Sequence, residues 1–241
     1  MTRLRALRDT LYQFSGLEIS SDKGLLTYRQ QLRRLLSVYG ISNILDVGAN
    51  RGQFGSACRK LGYDGVICSF EPLPSAFDIL KQRACSDCRW NVFNVGLGTR
   101  EETRTLHTHT KDVFSSLYEH NDFATTRFSL SDDTRQEQVT IESTEEWIGY
   151  TSNLEEGNIL LKSDTQGHDL EVLQGAGPRL IDITLVLVEL SFLPIYRGIP
   201  TWNEVVGFLE QSDFHLVAIS PVSRISQDGP IVEANGFFAR K

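Results

Sequence analysis

The residues best suited to chemistry are a glycine-rich loop and an acid, each directly after an apolar segment. The first segment runs through Asp46 into the loop 48–52, and the second, Val66–Phe70, ends in Glu71, 19 residues after Gly52. Glycine lets backbone approach a ligand closely, because it has no Cβ and tolerates a positive φ. A carboxylate at this spacing accepts hydrogen bonds from both hydroxyls of a ribose. The pattern therefore predicts a nucleoside-binding site.

The polar residues of the loop indicate which nucleoside it holds. Asp46 and Asn50 stand where a dinucleotide would place its pyrophosphate, which an aspartate repels, whereas an aspartate attracts a sulfonium and an α-ammonium. Short-chain dehydrogenases have a similar glycine spacing, but they need a Tyr-x-x-x-Lys pair for proton transfer. No lysine lies four residues after any of the seven tyrosines. The sequence therefore favours S-adenosylmethionine as the cofactor and argues against dehydrogenase or epimerase chemistry.

The elements that must position these residues alternate between strand and helix from residue 43 onward. Apolar runs predict five central strands and a terminal antiparallel pair. These strands are Asn43–Val47, Val66–Phe70, Trp90–Val95, Ile159–Ser163, Ile183–Leu190, Phe214–Ile219 and Gly236–Arg240. Leucine-rich stripes predict two earlier helices, at 1–16 and 25–39, acting as packing helices, a lid or a dimer surface. We therefore expect a helical extension over 1–40 and one α/β domain over 41–241.

The α/β rhythm is interrupted over about residues 100–157. A simple βα repeat needs about 25 to 30 residues, but about 65 separate the third predicted strand from the fourth. Within the interruption, Thr103–Thr108 and Glu137–Glu142 alternate as strands do, and the span between them is rich in serine, threonine and aspartate. Connections of this length without structure of their own are usually functional or disordered. We predict an inserted flap on the substrate side of the domain.

Composition and charge exclude several classes of protein. The 241 residues carry a net charge of −7, which repels long anionic polymers, so nucleic acid is not expected as a partner. The chain has neither a run of 18 apolar residues nor an apolar leader, so a cytoplasmic protein without a membrane span is expected. Cys85 and Cys88 have metal-pair spacing, but no second ligand pair follows, which favours a plain loop with two thiols.

Six motifs, taken in order along the chain, carry a resemblance to a known family. They are Asp46–Phe54, Phe70-Glu71-Pro72, Asn94–Gly98, Ser115-Ser116-Leu117, Leu161–Ala176 and Val188-Glu189-Leu190. Together they resemble the FkbM family of S-adenosylmethionine-dependent methyltransferases over about residues 43 to 240. The first motif is common to many methyltransferases, whereas the segment 162–176 is specific to this family. The resemblance implies an α/β fold with a Rossmann-like class I methyltransferase sheet, mostly parallel, with helices on both faces.

The resemblance also implies an activity. Members of the family mostly O-methylate hydroxyls of sugars, secondary metabolites or cell-surface glycans, so a small-molecule or glycan acceptor is expected. The chain departs from the family pattern twice: the usual Leu-Asp before the helix that closes the flap is missing from Val139–Thr144, and the usual Asp-x-Glu-Gly carries Gln166. N-methylation of an amino sugar and an inactive cofactor-binding partner protein remain alternatives, and a homodimer is possible.

The resemblance implies a set of cofactor contacts at the strand ends. In chain order these are Asp46, Gly48, Ala49, Asn50, Gly52, Glu71, Pro72, Asn94, Val95, Ser116 and Asp164. Glu71 is expected at the ribose diol, and Asn94 with the backbone near Val95 at the adenine. Asp46 either orients the loop or reaches the α-ammonium through water. Ser116 either reaches the cofactor carboxylate or belongs to a plain serine turn.

Three residues are candidates for catalysis, in a reaction where the protein must align the acceptor oxygen and remove its proton. His168 has a suitable pKa, and a positioned base contributes about 10²–10⁴-fold; alternatively it faces solvent at a helix N-terminus. Asp164 is the other candidate base or the group that orients His168, and Glu189 is a third candidate, for holding acceptor hydroxyls. These residues with Asp169 do not have a recognised ligand spacing, so no metal is predicted.

Overall fold

The computed structural model of the chain describes residues 26–109, 116–118, 134–194, 196–226 and 228–241. Within these residues the chain forms ten strands and six α-helices. The strands are β1 (Ile41–Val47), β2 (Val66–Phe70), β3 (Trp90–Phe93), β4 (Gly96–Gly98), β5 (Glu102–His109), β6 (Thr134–Ser143), β7 (Asn158–Ser163), β8 (Ile183–Ser191), β9 (Phe214–Arg224) and β10 (Ile231–Arg240). The helices are α1 (Tyr28–Val38), α2 (Gln53–Lys60), α3 (Pro74–Ala84), α4 (Thr144–Leu154), α5 (Asp169–Gly175) and α6 (Trp202–Gln211), with a 3₁₀ helix at Gly177–Asp182.

Seven strands form the main sheet, in the order β3-β2-β1-β7-β8-β10-β9. The five strands from β3 to β8 pair in parallel, and β10 runs antiparallel to both β8 and β9. Parallel neighbours joined through helices end at one edge of the sheet, so the turns after β1, β2 and β7 lie together. The predicted α/β fold, mostly parallel with a terminal antiparallel pair, is confirmed.

The core occupies both faces of this sheet because successive residues of a strand point to opposite sides. On one face Ile44 packs in a cluster with Leu32 of α1, and on the other Leu45 and Leu161 pack in a cluster with Val172 of α5. All five side chains are fully buried. Each such burial stabilises the fold by about 1.5–3 kcal/mol, which holds helices against both faces of the sheet.

Local signals explain where several helices begin. At α1, the Thr27 side chain accepts from the Gln30 N–H at 3.3 Å and the Gln30 side chain accepts from the Thr27 N–H at 3.0 Å. A capping box is also present at α6, where the Thr201 N–H donates to Glu204 Oε2 at 2.7 Å. Pro74 starts α3, since its fixed φ suits a first helical turn.

The described part of the interruption over 100–157 is folded. The predicted third strand ends at Phe93, and Gly96–Gly98 leaves the main sheet to pair in parallel with β6. The two predicted flap strands correspond to β5 and β6, which pair in antiparallel fashion with Thr103 opposite Thr140. Together with β4 they form a small sheet in the order β4-β6-β5. The predicted helix at 1–16 and most of the polar span lie outside the described residues.

The four cysteines are divided between the core and the surface. Cys58 and Cys68 are buried, and Cys85 and Cys88 are exposed thiols. Among the helices that the structure describes, none combines the length and hydropathy needed to cross a bilayer. The division of the chain into an extension over 1–40 and a domain over 41–241 stays a prediction.

Candidate active site

A cavity of about 410 Å³ lies at the edge of the main sheet where β1, β2 and β7 end. Its volume falls within the range of about 300–1,000 Å³ that is usual for small-molecule sites. Seven of the residues predicted for the site line it: Gly48, Ala49, Asn50, Glu71, Pro72, Asp164 and His168. Within the described ranges, no group of three His, Cys, Asp or Glu side chains is placed to hold a metal ion.

Gly48 lets the turns after β1 and β7 touch. It has a φ of +71°, and a Cβ at this position would lie 2.0 Å from the carbonyl oxygen of Asp164. The Gly48 and Ala49 N–H groups both donate to the carbonyl oxygen of Phe70, at 3.1 and 3.0 Å. A glycine is therefore required by backbone approach as well as by conformation, and the loop is anchored to β2.

The substitution Gly48→Ala is expected to lower the free energy of unfolding by about 3–4 kcal/mol, because the Cβ adds a backbone clash to the left-handed strain. Gly62→Ala is the matched control, since Gly62 has a φ of +88° and a Cβ added there would meet no atom within 4 Å. That control is expected to cost only the left-handed strain, about 1–2 kcal/mol. Urea unfolding of both variants measures the difference, and equal costs would contradict the clash.

Glu71 joins the glycine loop to the turn after β2. Its Oε2 accepts from the Asn50 N–H at 2.7 Å, and its Oε1 accepts from the Leu73 N–H at 2.8 Å. The side chain is buried against the cavity, and burial, which outweighs the two hydrogen bonds, raises the pKa of Glu71 to about 7. A carboxylate on the cavity wall is thus held in place by backbone donors, with further lone pairs available to a ligand.

A buried ion pair supports the loop from beneath. Asp46 of β1 is fully buried. In the sheet register it lies between Ser69 of β2 and Lys162 of β7. Lys162 Nζ lies 2.9 Å from Asp46 Oδ1, and the Ser69 hydroxyl donates to Asp46 Oδ2 at 2.9 Å. Lys162 Nζ also donates to the carbonyl oxygens of Val47 and Gly48, at 3.1 and 2.9 Å. The pair therefore fixes the backbone at the point where β1 becomes the loop.

The charge of Lys162 survives its burial. Burial by itself lowers the pKa of Lys162, but the carboxylates of Asp46 and Asp164 together raise it by more, so the net direction is upward. Sequence reasoning gave this lysine no role, although it lies in the family-specific motif. A lysine inside an otherwise apolar central strand was the available signal, because such a charge is buried only with a partner.

His168 is the residue immediately before α5, and the residue is 2% exposed. Nδ1 lies 3.3 Å from Glu171 Oε2, and neither ring nitrogen has a hydrogen-bond partner among the described residues. Gly98 permits this position, since a Cβ there would lie 3.1 Å from His168 Nε2. Burial lowers the pKa of His168, which keeps the imidazole neutral. The alternative that His168 faces solvent is wrong, because the small sheet covers it.

The comparison with protein families decides the identity of the domain. A model described as the methyltransferase FkbM domain matches residues 46–216. The chain belongs to this family. The matched region contains the loop, Glu71, Asp164 and His168, so the resemblance seen in the sequence motifs is confirmed. A search of curated proteins finds no match to the chain.

Solved structures similar to this FkbM domain share little sequence with it. An rRNA methylase from Streptococcus thermophilus is 8% identical, with 90% of this chain and 99% of that chain covered and a TM-score of 0.49. A protein in the NADB-Rossmann superfamily from Streptococcus agalactiae is 10% identical, with coverages of 92% and 71% and a TM-score of 0.44. The methyltransferase domain of a bacterial Hen1 protein is 11% identical, with coverages of 88% and 96% and a TM-score of 0.47.

Asp164 and Glu189 of the FkbM domain are joined by a residue whose role the sequence did not indicate. Gln166 Nε2 donates to Asp164 Oδ1 at 3.2 Å and to Glu189 Oε2 at 3.1 Å, and Gln166 Oε1 accepts from the Tyr196 hydroxyl at 2.8 Å. Sequence reasoning treated Gln166 as the loss of a carboxylate. A glutamate here would face two other carboxylates, so the amide is what allows the two acids to be held together.

Glu189 does not line the main cavity of the FkbM domain, in contrast to its predicted place beside the acceptor. It lines a small second cavity behind Gln166, together with Tyr196 and Glu233. Burial raises the pKa of Glu189 well above its usual value, and the nearby carboxylates of Asp164 and Glu233 add to this. Its role in holding acceptor hydroxyls stays a prediction, because a strand end specifies an edge of the sheet but not which side of a neighbouring side chain an acid occupies.

Three predicted contacts, Asp46, Gly52 and Asn94, also lie outside the cavity wall. Asp46 is bound to Lys162, so of its two predicted roles the geometry favours orienting the loop. Gly52 precedes α2 with a φ of +79°, where a Cβ would meet Leu80 at 2.9 Å. The Asn94 side chain donates to the carbonyl oxygens of Glu71 and Pro72, at 2.9 and 3.1 Å. These residues shape the loops that carry the site.

Val95 and Ser116 are likewise placed behind the wall. Val95 packs against the main core cluster. The Ser116 hydroxyl is buried and donates to the carbonyl oxygen of Gln166 at 2.7 Å, while accepting from the Tyr118 N–H at 3.1 Å. Ser116 therefore ties the small sheet to the turn after β7, and its geometry favours the structural alternative.

Sequence reasoning missed two parts of the cavity wall in the FkbM domain. Tyr28 and Arg29 of α1 line it, although the helix was assigned to packing, a lid or a dimer surface. The apolar end is formed by Leu73, by Leu97 of β4, and by three residues of the flap region, Leu106, Leu117 and Ile141. No sequence pattern marks these residues, because an apolar side chain on a cavity wall has the same type as one in the core.

Proposed function

We propose that this FkbM domain binds S-adenosylmethionine in the cavity and transfers its methyl group to a hydroxyl of a sugar, a glycan or a secondary metabolite. The observation that carries the proposal is the Glu71 carboxylate, held by the N–H groups of Asn50 and Leu73 beside the glycine loop. Such a carboxylate accepts hydrogen bonds from a ribose diol. The membership of the family supports methyl transfer as the reaction.

The cavity has the features that this cofactor needs. Its apolar end, with Leu97 and Ile141, suits the adenine ring, and its polar end, with Asp164, suits the α-ammonium. When bound, the cofactor supplies a methyl group made electrophilic by its sulfonium. The work left to the protein is to orient the acceptor hydroxyl and to remove its proton.

His168 is the residue that we assign to proton removal. Its imidazole is neutral because burial lowers the pKa, and neither nitrogen is committed to a partner among the described residues. Asp164, whose carboxylate is 45% exposed on the cavity wall and held by Gln166, faces the α-ammonium and is the other candidate base. The net charge of −7 supports a small molecule or glycan as acceptor and opposes a nucleic acid.

Calorimetric titration of the purified protein with S-adenosylhomocysteine, with NAD as the comparison ligand, tests the cofactor. Micromolar binding of S-adenosylhomocysteine and none of NAD is the expected result, and binding of NAD alone would refute the proposal. An acceptor screen then follows, in which transfer is read as a mass gain of one CH₂. A mass gain on free hydroxyl compounds supports O-methylation, whereas a gain confined to amines would move the assignment to nitrogen.

Cofactor affinity is expected to decrease as the pH falls below about 7. The pKa of Glu71 is raised to about 7 by burial, so at lower pH the carboxyl carries a proton and loses acceptor capacity toward the ribose. The affinity for S-adenosylhomocysteine should decline by up to about tenfold per pH unit below that value. Titrations at pH 6, 7 and 8 measure the trend. The neutral Glu71→Gln variant should bind weakly and without this pH dependence, and an unchanged slope in it would place the titration elsewhere.

A further inference from the structure

We propose that Arg29, in the first turn of α1, binds the carboxylate of the methionine portion of the cofactor. This inference rests on the proposed binding of S-adenosylmethionine. Arg29 lines the cavity together with the glycine loop and Asp164, although α1 precedes the sheet and lies outside the matched family region. The helix ahead of the sheet then completes the cofactor site instead of only covering the core.

The charges of the cavity wall lead to Arg29. A methionine portion carries both an ammonium and a carboxylate, and the carboxylate needs a cation. Of the described lining residues, Arg29 and Lys162 carry permanent positive charges. Lys162 has three N–H donors, and its ammonium contacts Asp46 Oδ1 and the carbonyl oxygens of Val47 and Gly48. Lys162 thus serves as a buried point charge within the fold. The guanidinium of Arg29 has five N–H donors in a planar fork that matches a carboxylate, so Arg29 is the cation of this wall better suited to a ligand carboxylate.

The position of α1 is rigidly determined by packing. Leu32 and Leu36 are buried on the face of the helix that contacts the sheet, and the rings of Tyr28 and Phe237 are 5.9 Å apart. The capping box of Thr27 with Gln30 fixes the first turn. Arg29 therefore starts from a backbone that is already ordered, which reduces the entropy lost when a side chain binds a ligand.

Asp164 and Arg29 bring opposite charges to the cavity wall, as a zwitterionic ligand requires. Arg29 and its neighbour Tyr28 line the same cavity as Asp164. An amino-acid ligand between them places its ammonium toward Asp164 and its carboxylate toward the guanidinium, which can bind it through two parallel hydrogen bonds.

The test compares two ligands that differ only at the amino-acid end. S-adenosylhomocysteine has the carboxylate, and 5′-methylthioadenosine has the same nucleoside without it. The variants are Arg29→Gln and, as the matched control, Arg33→Gln, which removes the same charge one turn along the helix at an exposed position outside the cavity wall. Calorimetric affinities are measured for both ligands with each variant and with the unmodified protein, and circular dichroism verifies folding.

The expected result is selective. Arg29→Gln should weaken S-adenosylhomocysteine about 10- to 100-fold, the range for charge-assisted hydrogen bonds, and change the affinity for 5′-methylthioadenosine less than about twofold. Arg33→Gln should change neither. Equal weakening of both ligands, or no weakening, would overturn the role of Arg29. If the unmodified protein binds neither ligand, it is the proposed function that fails, and that outcome is distinct because it precedes any substitution.

Discussion

Alanine in place of His168 is expected to lower turnover about 10²- to 10⁴-fold, the usual contribution of a positioned base. The affinity for S-adenosylhomocysteine should stay within about twofold, because the proposed cofactor contacts lie on the glycine loop and Glu71. Turnover is measured at saturating cofactor with an acceptor from the screen. His215→Ala, an exposed histidine on the edge strand β9, is the control and should leave turnover unchanged.

The pH profile separates His168 from the other titrating group of the site. Burial lowers the pKa of His168 below its usual 6.5, so the base stays neutral and active until the pH falls below that value. At saturating cofactor, the acidic limb of kcat should therefore lie below pH 6.5, whereas the limb from Glu71 appears only when cofactor is limiting. Full turnover in His168→Ala together with a large loss in Asp164→Asn would assign the base to Asp164 instead.

The substitution Lys162→Met is expected to lower the free energy of unfolding by about 3–5 kcal/mol. It removes the partner of Asp46, which is fully buried, and leaves an unpaired charge in the core. It also removes the donor that holds the carbonyl oxygens of Val47 and Gly48, so the affinity for S-adenosylhomocysteine should fall with the stability. Urea unfolding and calorimetry measure the two effects.

A second variant identifies the cause of that loss. In the double variant Asp46→Asn with Lys162→Met no charge is left unpaired, and at least half of the lost stability should return. Lys60→Met, at an exposed position on α2, should change the free energy of unfolding by less than about 0.5 kcal/mol. A double variant as unstable as Lys162→Met alone would show that the methionine side chain, and not the unpaired charge, is responsible.

The sequence predicted the main sheet well because each strand had a local signal. Apolar runs such as Val66–Phe70 have the length and the β-branched content of strands buried on both faces. The departure occurred at residues 94–98, where the third strand ends early and the chain crosses to the small sheet. That crossing depends on β6, more than 30 residues later, and no local pattern in Gly96–Gly98 announces a distant partner.

Site residues were predictable where their position follows from chain order alone. Glu71 and Asp164 directly follow strands, and parallel topology brings all such residues to one edge. Lys162 and Gln166 were missed because their roles depend on what lies opposite. Lys162 meets Asp46 only through the register of β7 on β1, and Gln166 meets Glu189 only because β8 lies beside β7.

The sequence by itself determined the class of this protein: a mostly parallel α/β sheet, a glycine loop and an acid at the ends of neighbouring strands, and membership of the FkbM family. These features are encoded in residue types at short spacing along the chain. Only the tertiary structure decided which side chains form the cavity wall, that His168 is buried beneath the small sheet, and that Arg29 of α1 reaches the site. Such facts depend on contacts between segments far apart in the chain, where register and packing, and not local pattern, set the distances.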